Sequence, residues 1–405
     1  MSENCPSLNV IRSSSLNSSG LLPVAVWIHG ASTVAAAYTQ VPPDKTTLQT
    51  FYRLSAFGFL CGSDEAKANG SANNGLRDQP LALHWIQENI ASFGGDPNRV
   101  TIFGQSAGGL SVGKQIIAYG GREDGLSHGV IMQSGGMAEK WPYDVKDPAA
   151  YTEDLYRNLT ETTSCSDAAS PLECLCTLPV EAISAALNVS ITPVFSGTGL
   201  GPWLTQVDGD FLQDGPTASL EKVHFVRVPI MYSTTSDEAT VLLFGGKLDM
   251  DEDFRALVAA GGPDNSTVSV IERLYPNTNG TGLPVGYNPT AEDHQLYGSQ
   301  WKHGVEFHTD VVETTSRRMT LKAWAAAGME AYSARVNLLP LSTTPGLGSH
   351  HSMDVSFIFD ALDEETMSEP QFTTASKLMG RTWASFVSDL NPNNHGGKLV
   401  CFSRP

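Results

Sequence analysis

Positive charge is scarce in this chain of 405 residues. Lysine and arginine total 25 against 43 aspartate and glutamate residues, so the net charge is −18. This balance argues against nucleic acid or an anionic membrane surface as a partner. Long apolar runs are also lacking, since the longest, Leu21–Ile28, falls well short of the roughly 20 residues of a membrane-spanning helix. We therefore expect no transmembrane segment.

Motifs of metal and cofactor chemistry are absent too. The six cysteines contain no C-x-x-C pair, which argues against zinc or thioredoxin-type chemistry. The sequence has no P-loop, no G-x-G-x-x-G after a predicted strand and no His/Glu metal spacing. We therefore predict no cofactor and no metal.

Signals for the cellular compartment disagree. The first residues, Met1–Cys5, lack the basic and apolar regions of a signal peptide. Asn-x-Ser/Thr sequons, which are typical of secreted glycoproteins, occur at Asn17, Asn69, Asn158, Asn188, Asn265 and Asn279.

Short apolar runs alternate with helical patterns along the chain. Continuous Val- and Ile-rich runs are typical of strands that are covered on both faces. The alternation predicts an α/β fold with a mostly parallel sheet flanked by helices. The predicted strands are Leu22–Ile28, Arg99–Phe103, Gly129–Gln133, Val228–Tyr232 and Tyr332–Leu338, and the predicted helices are Gln79–Phe93, Gly109–Ala118, Asp251–Ala260, Ser316–Ala327 and Ser376–Asp389. We expect residues 1–405 to form one domain, with a cap-like insertion around residues 141–215.

Two pentapeptides fit the pattern G-x-S-x-G, Gly104–Gly108 and Gly125–Gly129. Ser106 follows a predicted strand and precedes a helix, and this strand–turn–helix context exposes a nucleophilic serine at the carboxyl edge of a sheet. Ser127 comes before its strand and is expected at the opposite edge. We therefore predict that Ser106 is the nucleophile and that Ser127 is a loop serine.

A serine nucleophile needs a histidine base and an acid that orients it. In this fold class the chain order is serine, acid, histidine. Asp237 and Glu238 follow the strand that ends at Tyr232, so both are candidates for the acid. His350 and His351 follow the loop after the last predicted strand, and both are candidates for the base.

These residues lie in segments that resemble the type-B carboxylesterase/lipase family, which includes fungal lipases and cholinesterases. The similarity runs along nearly the whole chain, through the segments Asn74–Ile90, Phe93–Gly108, Ile131–Gly135, Ser236–Glu238, Tyr275–Pro276 and Asp389–Pro392. The resemblance implies an α/β-hydrolase fold, hydrolysis of small-molecule or lipid esters, and an extracellular location.

Individual roles follow from the same resemblance. It implies that Ser106 is the nucleophile, Glu238 the acid and His351 the base, with His350 as the alternative. It further implies that Ser134 supports the acid, that Gly30, Ala31 and Ala107 supply oxyanion-hole amides, and that Cys165 and Cys174 form a disulfide.

The chain departs from the family's pattern near its start, after Gly30 and at its end. We expect the early strands to be missing, because Cys5 resembles an internal landmark of the family. The segment Thr46–Thr50 is predicted to be too short and polar to replace a family strand. Leu22–Ile28 would then form an exposed apolar edge of a five-stranded sheet, which favours aggregation. The alternative to an active esterase is therefore a non-catalytic relative or an inactive truncated member.

Overall fold

The computed structural model describes residues 6–12, 20–30, 47–138, 147–190, 203–242, 247–278, 284, 287–340, 343 and 345–396. Within these ranges a seven-stranded sheet forms the centre of the molecule, in the order β1-β3-β2-β4-β5-β6-β7. The strands are β1 Ser7–Ile11, β2 Leu22–Ile28, β3 Thr47–Phe51, β4 Gly95–Gln105, β5 Gly129–Gln133, β6 Ile230–Thr235 and β7 Ala331–Val336. All neighbours are parallel except β1 and β3, which are antiparallel. The prediction of an α/β fold with a mostly parallel sheet is confirmed.

Helices flank this sheet. They are α1 Ser55–Phe59, α2 Asp64–Ala68, α3 Asn74–Asn89, α4 Ala107–Gln115, α5 Pro148–Thr162, α6 Pro171–Thr177, α7 Val180–Ser190, α8 Pro216–Glu221, α9 Asp251–Ala260, α10 Asn265–Leu274, α11 Ala291–Tyr297, α12 Trp301–Thr309, α13 Thr315–Ala326, α14 Met353–Ile358, α15 Glu364–Met367 and α16 Pro370–Asp389. A π-helical turn, Asp310–Thr314, joins α12 to α13. No helix in the described part of the chain is long and apolar enough to cross a membrane.

The strand segment Thr47–Phe51 corrects one prediction. It forms β3 and pairs in parallel with β2, while β1 pairs with the outer side of β3. The prediction failed because ladder hydrogen bonds need only backbone groups, and five residues is an ordinary strand length. The sheet accordingly has seven described strands rather than five, and β2 is an interior strand. Its Val24, Val26 and Ile28 are at most 1% exposed, so the expected apolar edge does not exist.

The two faces of the sheet carry separate apolar clusters, because successive side chains of a strand point to opposite sides. Val26, Ile102 and Met132 belong to the larger cluster, which also contains side chains of α5 and α7. Trp27 and Phe103 belong to the other cluster, and Trp383 and Phe386 of α16 cover it. Each such buried side chain contributes roughly 1.5–3 kcal/mol. This double covering fixes the carboxyl ends of the strands, where the candidate site lies.

Residues 147–190 of the predicted insertion contain the helices α5, α6 and α7, whereas residues 203–215 contain neither helix nor strand. Leu155 and Leu159 of α5 and Ile183 of α7 belong to the same buried cluster as the central strands. The expected disulfide is present and joins Cys165 to Cys174, whose Cα atoms are 5.6 Å apart.

Candidate active site

The candidate nucleophile stands between a strand and a helix. β4 ends at Gln105, and α4 begins at Ala107. Ser106 between them has φ 58° and ψ −126°, which is an unusual conformation for a residue with a side chain. The Ser106 amide donates a hydrogen bond of 2.9 Å to the Gln133 carbonyl at the end of β5. A sharp turn of this kind presents the serine hydroxyl above the sheet.

Close backbone packing holds this turn in place. A Cβ atom on Gly108 would collide with the carbonyl oxygen of Ile28, and one on Gly30 would collide with that of Gln105. Both positions therefore require glycine. The consequence is that Gly30 lies directly against the turn that carries Ser106.

The candidate acid lies just after β6, in a short 3₁₀ turn that spans Glu238–Thr240. Glu238 is completely buried. Its Oε1 accepts hydrogen bonds from the Ser134 hydroxyl at 2.7 Å and from the Thr235 amide at 2.5 Å. Burial alone would raise the pKa of Glu238, but the hydrogen bonds from His351, Ser134 and Thr235 outweigh it, so the pKa is lowered. The carboxylate is therefore held in its ionised form.

The two adjacent histidines lie in different surroundings. His351 Nδ1 lies 2.7 Å from Glu238 Oε2, whereas His350 Nδ1 lies 2.8 Å from the backbone carbonyl of His351. Because the hydrogen on Nδ1 of His351 is shared with the acid, Nε2 is left as the basic nitrogen. The structure thus brings Glu238 together with His351 and not with His350.

Asp237, the other candidate acid, contacts backbone instead of an imidazole. Its Oδ2 accepts a hydrogen bond of 2.6 Å from the Ser349 amide, and its own amide donates to the Ser349 carbonyl at 3.0 Å. Burial raises the pKa of Asp237. This pair of hydrogen bonds ties the loop that carries the histidine to the loop that carries the acid.

Gln105 touches the basic nitrogen of the candidate base. Its Nε2 lies 3.2 Å from Nε2 of His351. An unprotonated Nε2 accepts a hydrogen bond from this amide, whereas a protonated one cannot. The contact therefore favours the neutral imidazole.

The expected oxyanion donors are described in part. The Ala107 amide is at the first residue of α4, and Gly30 is buried beside Ser106. Ala31 lies outside the described residues. The ring of Tyr52 stacks on that of His29 at 4.4 Å, and its hydroxyl donates to the His29 carbonyl at 3.0 Å. Tyr52 thereby fixes the backbone that leads into Gly30.

Two further buried acids, Asp354 and Glu313, lie near the pair, and no sequence motif pointed to Glu313. Asp354 accepts a hydrogen bond of 2.9 Å from Gln133, and burial raises its pKa to about 6. Glu313 lies near the pair as well: an oxygen of Glu313, an oxygen of Glu238 and a ring nitrogen of His351 are within 4.8 Å of one another. Because Glu238 and His351 are hydrogen bonded to each other, we assign this group to acid–base chemistry rather than to metal binding.

A serine at a strand–helix turn above a mostly parallel sheet, preceded by a residue that contacts an acid-linked histidine, is the arrangement of an α/β-hydrolase. Comparison with known proteins gives the family. The model of the carboxylesterase family matches residues 1–401. The chain therefore belongs to the carboxylesterase family and is a carboxylic ester hydrolase.

Relatives and a solved structure agree with this family. The chain is 31% identical to "Secreted lipase 1" of Botryotinia fuckeliana (strain B05.10), over 97% of this chain and 69% of that protein. It is 30% identical to "Lipase 5" of Diutina rugosa, over 98% of this chain and 71% of that protein. The crystal structure of Aspergillus niger EstA matches with a TM-score of 0.80 at 23% identity, over 99% of this chain and 77% of that one. The last comparison supports the fold.

Proposed function

We propose that this enzyme hydrolyses esters through an acyl-enzyme formed on Ser106. The observation that carries the proposal is the 2.7 Å contact between His351 Nδ1 and Glu238 Oε2, together with the 3.2 Å contact between His351 Nε2 and Gln105, the residue before Ser106. Ser106 attacks the ester carbonyl while Nε2 of His351 takes the hydroxyl proton and then delivers it to the leaving alcohol. In the second half of the cycle, water attacks the acyl-enzyme with the same proton transfers in reverse.

Each remaining group has a role in this cycle. Glu238 keeps the imidazole in one tautomer and stabilises the imidazolium that forms. Ser134 and the Thr235 amide hold the Glu238 carboxylate in place. The amides at Ala107 and following Gly30 stabilise the oxyanion of the tetrahedral intermediate. We include Ala31 in that group on the basis of family resemblance.

The substrate class we propose is small-molecule or lipid esters of carboxylic acids. Its support is the similarity to two fungal proteins named as lipases. One of them is named as secreted, and we propose an extracellular location for this protein as well. Exposed sequon residues Asn69 and Asn265 are compatible with glycosylation there. We propose a single domain in which the insertion around residues 141–215 forms part of the wall of the ester pocket.

Labelling with a fluorophosphonate tests the mechanism. The reagent reacts with an activated serine, so the purified enzyme should take up one equivalent, and peptide mass mapping should locate it at Ser106. Ser106→Ala should abolish labelling, and Ser127→Ala should leave it unchanged. A folded protein that takes up no label would show that the chain is a non-catalytic relative.

A further inference from the structure

One buried carboxyl group near the candidate acid and base has no part in the mechanism above. Glu313 is completely buried, and its carboxyl oxygen is within 4.8 Å of a Glu238 oxygen and of a ring nitrogen of His351. It is supplied by a helix far from both residues in sequence. The site therefore contains two carboxyl groups beside a single imidazole.

The path of the backbone explains how Glu313 reaches this point. Helices α12 and α13 are joined by the π-helical turn Asp310–Thr314, and such turns occur frequently at functional sites. Thr309, at the end of α12, accepts a hydrogen bond of 3.1 Å from the Ala239 amide, next to the candidate acid. Glu313 follows about one helical turn later and so faces the same side. The helix is thus anchored to the acid-bearing loop with Glu313 turned towards the pair.

The surroundings of the pair contain more acids than bases. The carboxyl groups of Glu238, Glu313 and Asp354 are completely buried, and Asp237 is 2% exposed. Arg317 interacts electrostatically with Glu238, and Arg335 with Asp237. The other titratable groups on β6, α12, the π-helical turn, α13 and the histidine-bearing loop are Tyr232, Lys302, His303, Glu306, His308, Asp310, Arg318, Lys322 and His350.

Electrostatics gives the direction in which a charged Glu313 would shift the pKa of His351. A negative charge about 4–6 Å from a titratable group stabilises its positive form by roughly 1–3 pK units. Two ionised carboxylates in one site also repel each other, so the protons of Glu238, Glu313 and His351 leave in steps that belong to the whole group. A second carboxylate beside His351 therefore favours the imidazolium that the proposed reaction creates.

We propose that Glu313 is ionised while His351 is protonated, and that it acts as a positioning residue whose charge stabilises this imidazolium and raises the pH at which the histidine becomes a neutral base. The proposal rests on the proposed function, in which His351 is the base. In this view Glu313 and Gln105 act in opposite directions, because the Gln105 amide favours the neutral ring and the carboxylate favours the charged one.

The test is the pH profile of Glu313→Gln, which removes the charge and keeps the shape. The acid limb of kcat/KM reports the base of the free enzyme. We expect its midpoint to move to lower pH by about one unit or more. The pH dependence of the fluorophosphonate labelling rate should move in the same way. All assays contain EDTA, so that divalent cations make no contribution.

Asp310→Asn is the matched control, since it makes the same chemical change in the same π-helical turn. Asp310 accepts a hydrogen bond of 2.9 Å from the Tyr275 hydroxyl and is not among the groups that shift the pKa of Glu238, so the acid limb of this variant should keep the wild-type midpoint. A purely structural role for Glu313 would lower activity at every pH and leave the midpoint unchanged.

An unchanged or raised midpoint in Glu313→Gln would overturn the inference. If that variant does not fold, Glu313→Asp replaces it: shortening the side chain withdraws the charge, and the midpoint should move down by a smaller amount. An unchanged midpoint there would overturn the inference equally. A folded wild type that neither labels nor hydrolyses esters would instead overturn the proposed function and, with it, this inference.

Discussion

The chain contains the pattern G-x-S-x-G twice, and the two copies lie in different structural settings. Ser106 and Ser127 are both half-buried, so exposure does not separate them. The backbone conformation around each serine does separate the two. Ser106 has a positive φ and lies where β4 turns into α4, whereas Ser127 lies in the loop that enters β5. The histidine inside the second pattern, His128, accepts a hydrogen bond from the Val100 amide at 3.4 Å, and within the described part of the chain it is not paired with an acid.

The glycines show the same contrast. A Cβ on Gly104 of the first pattern would lie 2.6 Å from the Ile28 carbonyl oxygen. A Cβ on Gly125 of the second would meet nothing within 4 Å. Gly104 is thus required by close backbone packing and Gly125 only by local turn conformation, while Gly129, the last residue of the second pattern, is crowded by the Leu390 side chain. A catalytic motif is therefore defined by what surrounds its glycines, and not by their spacing alone.

The largest expected difference between the two patterns is catalytic. Ser106→Ala should lower kcat for a soluble ester by roughly 10⁶, the size seen when a triad serine is removed. Ser127→Ala should leave kcat unchanged. Steady-state hydrolysis of a p-nitrophenyl ester measures both, and a loss of activity in Ser127→Ala alone would reverse the assignment.

The neighbouring acids offer a second paired test. Glu238→Gln should lower kcat by roughly 10⁴, because the imidazole loses the carboxylate that sets its tautomer. Asp237→Asn removes a charge that contacts the Ser349 amide instead, so its loss should be smaller. The same hydrolysis assay compares them, together with a thermal melt to separate stability from chemistry. Equal losses at matched stability would contradict the assignment of the acid.

Replacing a glycine of each pattern by alanine tests the difference in packing through its effect on stability. Gly108→Ala should destabilise the protein by more than about 3 kcal/mol, because its Cβ would collide with the Ile28 carbonyl. Gly125→Ala should cost only about 1–2 kcal/mol, the cost of a positive φ for alanine. The urea unfolding midpoints of the two variants measure this difference. Similar midpoints would mean that the turn at Ser106 can relax.

The smallest effect concerns the residue before each serine. Gln105→Glu places a carboxylate against His351 Nε2 and should raise the acid-limb midpoint of kcat/KM by about one pH unit. Gln87→Glu is the control, since the Gln87 amide donates to the carbonyl of Leu126, the corresponding residue of the second pattern, at 3.3 Å. That variant should keep the wild-type profile. A fall of the midpoint in Gln105→Glu would contradict the contact.

The sequence was sufficient for the parts of the fold that local pattern controls. All five predicted strands are present, with ends shifted by a few residues, because their apolar runs reflect burial on both faces. The strand Thr47–Phe51 was missed because its pairing depends on backbone hydrogen bonds that leave little trace in composition. The antiparallel pairing of β1 with the outer edge of β3 was missed for the same reason.

The residues of the candidate site were likewise predictable only in part from the sequence. Strand–turn–helix order was enough to locate Ser106, and family resemblance was needed to favour Glu238 and His351 over their neighbours. The contact between Glu238 and His351 is made across 113 positions of sequence, and only the folded chain shows it. Glu313 could not be predicted, because a single acid in a helical stretch carries no signal until the helix is packed against the β6 loop.

The wide spacing of the reactive groups has a consequence for biosynthesis. The serine-bearing turn is translated well before the candidate histidine, since His351 follows Ser106 by 351 − 106 = 245 positions. A ribosome therefore releases a potential nucleophile long before the group that activates it. In the proposed mechanism the growing polypeptide cannot hydrolyse cellular esters until the segment that carries His351 has been made.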